Sequence, residues 1–338
     1  MRVLVTGGAG YIGSVLVSEL LKRGYKVTVL DLMIFGDKGL TGVLDKEELR
    51  VVKADVRNYD PSIVAGHDIV VDLAAVSQPD PTGKSSEELF YEINYLAAIR
   101  TAKIASKMGV EKYIFTSTCS VYGFQDKVVD ETSQPNPLEA YAKTKYLTER
   151  GILRIESLVK TILRLATVYG YSPKMRFDLV VNAMTLTLFK QGKIMVGRPG
   201  TQKRPVVHVK DVVSAIIRVI EAPKDVVNNE VFNVGSNDQN YQIVELAHEI
   251  FKALGKEPII EYYGDPDARS YVVDFTKISK KLGFKCKYTV RDGAKEVYEA
   301  LKSGLISDEP WTRVIDWWHE QIKRGAIKSL KSMGVDVL

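Results

Sequence analysis

Two clusters of residues in this chain have types and spacings suited to chemistry. Gly7-Gly8-Ala9-Gly10-Tyr11-Ile12-Gly13 follows directly on the β-branched run ending at Thr6 and opens an apolar helical pattern. Glycines at that spacing permit a tight turn, bring backbone close to a pyrophosphate and let strand and helix pack together, while the helix N-terminus offers N–H groups to phosphate. Gly7, Gly10, Tyr11, Ile12 and Gly13 are therefore candidate dinucleotide-binding residues. Asp31 ends the next apolar run, where a carboxylate can accept from both adenosine ribose hydroxyls and repel a 2′-phosphate. No arginine directly follows it, which favours NAD over NADP. Asp55, with Val56 beside it, is a candidate for the adenine amino group, or simply an acid that starts a loop.

The second cluster is Tyr141 and Lys145, four apart on one face of an expected helix. Tyr298 and Lys302 share that spacing, so spacing alone does not choose between them. Only the first pair follows a strand that ends in hydroxyls, Thr116-Ser117-Thr118-Cys119-Ser120. A tyrosine, with a reference pKa of about 10, is a poor base at neutral pH. A nearby ammonium and a cationic nicotinamide would favour the phenolate. A threonine or serine hydroxyl could then hold a substrate oxygen as its proton leaves, the hydride being the cofactor's chemistry.

Elements must exist to position these groups. Strands are expected at Arg2–Thr6, Lys26–Leu30, Arg50–Lys53, Asp68–Leu73, Lys112–Thr116 and Thr161–Leu165. Helices are expected at Ile12–Lys22, Leu89–Lys107 and Ala140–Ser157. Consecutively apolar strands such as Ile69-Val70-Val71 suit a parallel sheet covered on both faces. The alternation predicts an α/β fold, a doubly wound parallel sheet of the Rossmann kind. After Gly170 the rhythm changes, although helical patterns persist at Tyr241–Leu254 and Asp292–Lys302. The expectation is an NAD-binding domain over 1–170, to which 206–234 returns, and a smaller C-terminal substrate lobe over 171–338.

Composition bounds the alternatives. With 338 residues, 45% hydrophobic and 26% charged, the chain is an ordinary globular one. Its two cysteines and four histidines make neither a disulfide framework nor a metal-ligand cluster, so no metal is expected. A net charge of +5 is too slight to imply nucleic acid, and the basic stretch Ile322–Lys331 reads as a solvated helix face. No apolar run is long enough for a membrane span, and the opening residues leave no room for a secretory signal. A cytoplasmic protein is expected.

Taken together, these motifs resemble the extended short-chain dehydrogenase/reductases of the nucleotide-sugar epimerase and dehydratase family. The resemblance rests on Thr6–Gly13, Leu73-Ala74-Ala75, Ser117–Gly123 and the pair Tyr141 and Lys145. Leu163–Gly170 and Arg204–Asp211 add to it. It implies that Leu73, Ala74 and Ala75 lie against the nicotinamide half of NAD. It makes Thr118 the catalytic hydroxyl, Tyr141 the acid/base and Lys145 the partner of the nicotinamide ribose. Asn94 would support the active-site helix and Arg204 would bind the sugar-nucleotide diphosphate, with His208 structural. Ser120, Thr167 and Arg269 are further candidate substrate contacts, Arg269 standing in for an arginine that Gly264 replaces. A homodimer through Leu89–Lys107 and Ala140–Ser157 is expected on the same ground.

Departures from the family pattern narrow the reaction. Its 4,6-dehydratases carry an acidic pair after the catalytic threonine, where this chain has Cys119 and Ser120. Many 4-epimerases carry asparagine at the position of Thr167. The expectation is NAD-dependent epimerisation of a nucleotide sugar, at C4 of a nucleoside-diphosphate hexose, through a transient 4-keto sugar. A nucleotide-sugar reductase or dehydrogenase, or a non-catalytic NAD-binding sensor, are the alternatives.

Overall fold

The computed structural model describes residues 1–77 and 87–327. Lys328 and Lys331 of the basic stretch lie outside the described residues.

Five strands run in chain order as β1 (Arg2–Thr6), β2 (Lys26–Asp31), β3 (Leu49–Lys53), β4 (Ile69–Asp72) and β5 (Lys112–Thr118). With Lys160–Leu165 and Glu230–Val234 they form one seven-stranded sheet. Its order is Glu230–Val234, Lys160–Leu165, β5, β4, β1, β2, β3, and every pairing is parallel. Ile69 and Val71 pack on one face of the sheet and Val70 on the other, the two-sided burial that the unbroken apolar run requires. One face is covered by Leu16, Val17 and Leu20 of helix α1 (Tyr11–Lys22) and by Val212, Ile216 and Val219 of the helix Val209–Glu221. Ala98, Ala102 and Ile152 cover the other. The strand order reverses between β1 and β4, which is where doubly wound sheets bind ligands.

Two expected helices differ in form. Leu89–Lys107 is observed as Glu87–Phe90, a π-helical stretch Tyr91–Ala97 and Ala98–Lys107. The wider turn falls at Asn94, whose Oδ1 accepts from the Val76 N–H at 2.9 Å and whose Nδ2 donates to the Val76 carbonyl at 3.0 Å and to the Thr144 hydroxyl of the helix Ala140–Leu153 at 3.4 Å. The helix expected to reach Ser157 stops at Leu153. Its end tightens as Arg154 and Ile155 bond back three residues, and Ile155 packs into the core beneath.

The remaining strands form small sheets: Thr167–Tyr169 beside Lys203–His208 and Asn240–Gln242, Ile194–Gly197 with Ile260–Tyr263, and Phe124–Val129 with Ser270–Val273. Among the described residues, no helix is long and apolar enough to cross a membrane.

A buried ion pair fixes the edge of the site. Glu149 and Arg164 meet at 2.7 Å, both nearly inaccessible, and the Ser117 hydroxyl donates to the same carboxylate. Removing one partner strands the other charge away from water. Arg164→Met should therefore cost about 3–5 kcal/mol of stability, and pairing it with Glu149→Gln should restore part of that. Urea denaturation measures both; an Arg164→Met variant as stable as the unmodified protein would contradict the pair's role.

Candidate active site

One cavity of about 700 Å³ opens at the C-terminal ends of β1, β4 and β5. Its wall contains all of the dinucleotide candidates: Gly7, Gly10, Tyr11, Ile12, Gly13, Asp31, Asp55, Val56, Leu73, Ala74 and Ala75. Thr118, Ser120, Tyr141, Lys145, Thr167, Arg204 and Arg269 line the same space. Tyr298 and Lys302 do not line it; Tyr298 packs edge-on against Phe189.

The glycine turn is built by close backbone approach. Gly7 has φ +66° and lies so near Ala74 that a Cβ would stand 2.9 Å from its Cα. A Cβ on Gly13 would stand 2.4 Å from the Gly7 carbonyl oxygen. No side chain caps the N-terminus of α1, and no acid lies in its first turn, leaving an environment suited to phosphate. Asp31 is held by the N–H groups of Ala9 at 3.0 Å and Met33 at 2.8 Å. Burial pushes its carboxyl up, and those two bonds oppose the shift. This cradle fits a dinucleotide.

Several expectations are revised here. Asp31 does not stand alone, because the Lys174 ammonium lies close enough to act on it. Burial lowers Lys174 to about 7. Asp55 starts its loop by accepting from the Arg57 N–H at 2.9 Å, and it also carries the Arg57 guanidinium at 2.6 Å. Arg57 in turn bonds Glu92 at 2.6 Å, deep in the protein. Cys119 is buried, donates to the Arg164 carbonyl, and has its pKa pushed up by burial, which keeps the thiol neutral; it does not line the cavity.

Tyr141 also departs from expectation. Exclusion of water pushes its phenol up to about 12, with Arg176 first and the Thr118 hydroxyl second among the groups that pull it down. Lys145 donates to the Thr116 carbonyl at 2.8 Å, and burial lowers it to about 8 despite the Asp72 and Glu149 carboxylates. Arg176 is thus the cation of this chain that acts on Tyr141. It bonds the Ser77 hydroxyl at 2.8 Å and the Asp178 carboxylate at 2.9 Å. Sequence reasoning missed it because Arg176 lies in an irregular stretch with no periodicity to mark it.

At the other end of the cavity Arg204 and Arg269 share one acid. Asp267 accepts from each at 2.8 Å, and Arg269 also pairs with Glu139 at 3.1 Å. Sequence reasoning named both arginines but not the carboxylate that aligns them. His208 lies outside the cavity, hydrogen-bonded to Glu296 at 2.9 Å and stacked on Tyr288. Among the described residues no group of histidine, cysteine and acidic side chains is arranged to hold a metal.

The cradle yields a direct expectation. Gly13→Ala should fold yet weaken NAD binding by at least about tenfold, a loss of 1.4 kcal/mol or more, because the added methyl meets the Gly7 carbonyl. Calorimetric titration with NAD, alongside circular dichroism, checks this; undiminished affinity would contradict the role given to the turn.

Residues 3–235 match the NAD dependent epimerase/dehydratase family. A putative UDP-glucose 4-epimerase of Methanocaldococcus jannaschii is 30% identical over 89% of this chain and 98% of its own. A dTDP-glucose 4,6-dehydratase of Streptomyces niveus is 28% identical over 92% of this chain and 95% of its own. The structure of MoeE5 in complex with UDP-glucuronic acid and NAD superimposes with a TM-score of 0.79 at 28% identity, covering 90% of this chain and all of that one. This chain belongs to the NAD-dependent nucleotide-sugar epimerase/dehydratase family of enzymes, and its cofactor is NAD.

Proposed function

We propose that the protein epimerises a nucleoside-diphosphate hexose at C4. The observation that carries this reading is the position following Thr118. The wall of the cavity there is Ser120, while Cys119 is turned into the core. Elimination of water across C5 and C6 needs an acid and a base at the sugar, and a serine hydroxyl is far too weak an acid for it. Thr118 and Tyr141 are suited instead to moving one proton on and off a single hydroxyl oxygen.

In this reading Gly7, Gly10 and Gly13 receive the pyrophosphate of NAD, Asp31 its adenosine ribose and Lys145 its nicotinamide ribose. NAD, when bound, supplies the acceptor and donor of hydride. Arg204 and Arg269, aligned by Asp267, hold the substrate diphosphate with their planar guanidinium forks. Thr118 accepts or donates at the 4-oxygen, and Tyr141 takes its proton and later returns it. Ser120 and Thr167 border the sugar. Firm binding at the diphosphate, with few fixed contacts around the ring, lets the 4-keto sugar turn over between the two proton transfers. The charge of Arg176 opposes the penalty that burial imposes on the Tyr141 phenolate.

Chromatography of sugar nucleotides incubated with the protein tests the reaction, the expected product being a C4 epimer of unchanged mass. A product lighter by one water would overturn the epimerase reading, as would stoichiometric consumption of added NAD. Tyr141→Phe should lose about 10²- to 10⁴-fold in rate, whereas Tyr298→Phe should behave as the unmodified enzyme; the reverse pattern would contradict the choice of pair. Arg176→Met removes a cation that favours phenolate, so the limb of the pH–rate profile that rises as Tyr141 ionises should move to higher pH. A shift to lower pH would contradict the role given to Arg176.

A further inference from the structure

The helix Val314–Lys323 lies well beyond residue 235, where the family match ends. It nevertheless sits on the cofactor cleft. Val314, Ile315 and Trp318 form part of the same cavity wall as Asp31, Leu32 and Val56. Val314 and Trp318 belong to an apolar cluster that also takes in Ile34, Phe35 and, on the catalytic side, Tyr141.

The helix is tied down on both banks of the cleft. Towards the segment after β2, the Trp317 indole N–H donates to the Ile34 carbonyl at 2.7 Å. The Lys38 ammonium lies 4.1 Å above the ring of Trp311, just before the helix. On that same side the Lys174 ammonium, 3.7 Å from the centre of the Phe35 ring, donates to the Trp311 carbonyl at 3.2 Å, while on the opposite bank the Val314 N–H donates to the Asp178 carboxylate at 3.1 Å. The C-terminal segment is therefore a strap from one bank to the other, with its apolar face turned to the adenosine end.

Trp318 carries a second, independent sign of a ligand. Its side chain is only 7% exposed, and its indole N–H is buried with no hydrogen-bond partner among the described residues. A buried donor without an acceptor is destabilising, and such a group at a binding site is accounted for when the ligand brings the acceptor. An adenosine moiety offers ring nitrogens and ribose oxygens for that purpose.

We propose that helix Val314–Lys323 is the outer wall of the NAD site, with Trp318 a cofactor-binding residue that packs on the adenosine half and donates its indole N–H to it. Release of the dinucleotide then requires the strap to lift, which breaks the Trp317–Ile34 bond and exposes the apolar face. The assignment rests on NAD as the cofactor and not on which carbon of the sugar reacts.

Cofactor exchange tests this without reference to activity. The protein is purified without added NAD, its content is measured after denaturation, and exchange is followed with isotopically labelled NAD. The unmodified protein should carry close to one NAD per chain. Trp318→Ala should exchange at least about tenfold faster, since differences of this kind fall mainly on the dissociation rate. Trp318→Phe, which keeps the wall and loses the donor, should fall between the two. Trp317→Phe alters no residue of the cavity wall but frees the strap, and it too should exchange faster; it decides the matter if circular dichroism shows Trp318→Ala to be misfolded. Exchange in Trp318→Ala or Trp317→Phe as slow as in the unmodified protein would overturn the proposal. A protein that retains NAD in this way but epimerises no sugar nucleotide would leave the strap standing and remove the reaction proposed above.

Discussion

The site depends on one buried carboxylate that ties three strand ends together. Asp72, at the end of β4, accepts from the Thr6 hydroxyl at the end of β1 at 2.5 Å and from the Tyr113 hydroxyl of β5. The Thr6 oxygen in turn accepts from the N–H groups of Leu73 and Ala74, each at 3.2 Å. That bonding presses the Leu73–Ala75 turn against Gly7, where only a residue without Cβ fits. The strand-order reversal lies between β1 and β4, so the same carboxylate sits beneath the crevice in which a doubly wound sheet receives its ligand. It is also the first of the two charges favouring the ammonium form of Lys145. The carboxylate that positions the cradle thus also opposes the burial that lowers Lys145.

Burial dominates the electrostatics of the cavity. It lifts Tyr141 to about 12 and drops Lys145 to about 8, each toward its neutral form. The protein counters this with charges that are themselves paired: Arg176 against Asp178, Arg204 and Arg269 against Asp267. Pairing makes a cation tolerable in a dry site and also fixes where its guanidinium points. Such an arrangement suits a reaction in which the phosphate end of the substrate stays put while the sugar end moves.

Much of this was legible in the sequence, and for identifiable reasons. The β-branched runs located all five N-terminal strands to within a residue or two, because two-sided burial leaves an unbroken apolar signature. The glycine spacing and Asp31 marked the cradle, and hydroxyls at the end of β5 separated Tyr141 from Tyr298. Residues whose role depends on a distant partner were not legible. Arg176 becomes significant only where its irregular segment meets Ser77, and Asp267 only where two arginines converge on it. The place of Val314–Lys323 depends on contacts with Ile34 and Asp178 far away along the chain. The π-helical turn at Asn94 exists to serve the backbone of Val76, and helical periodicity carries no trace of it.

The central claim of the proposed reaction is that a proton leaves the 4-oxygen and a hydride leaves C4, and that both return to those same atoms. A sugar nucleotide deuterated at C4, followed by nuclear magnetic resonance and mass spectrometry through epimerisation in ordinary water, tests it most directly. The account predicts that the label stays at C4 in both epimers and that, in heavy water with unlabelled substrate, no deuterium enters C5. Loss of the C4 label to solvent, or deuterium at C5, would contradict it.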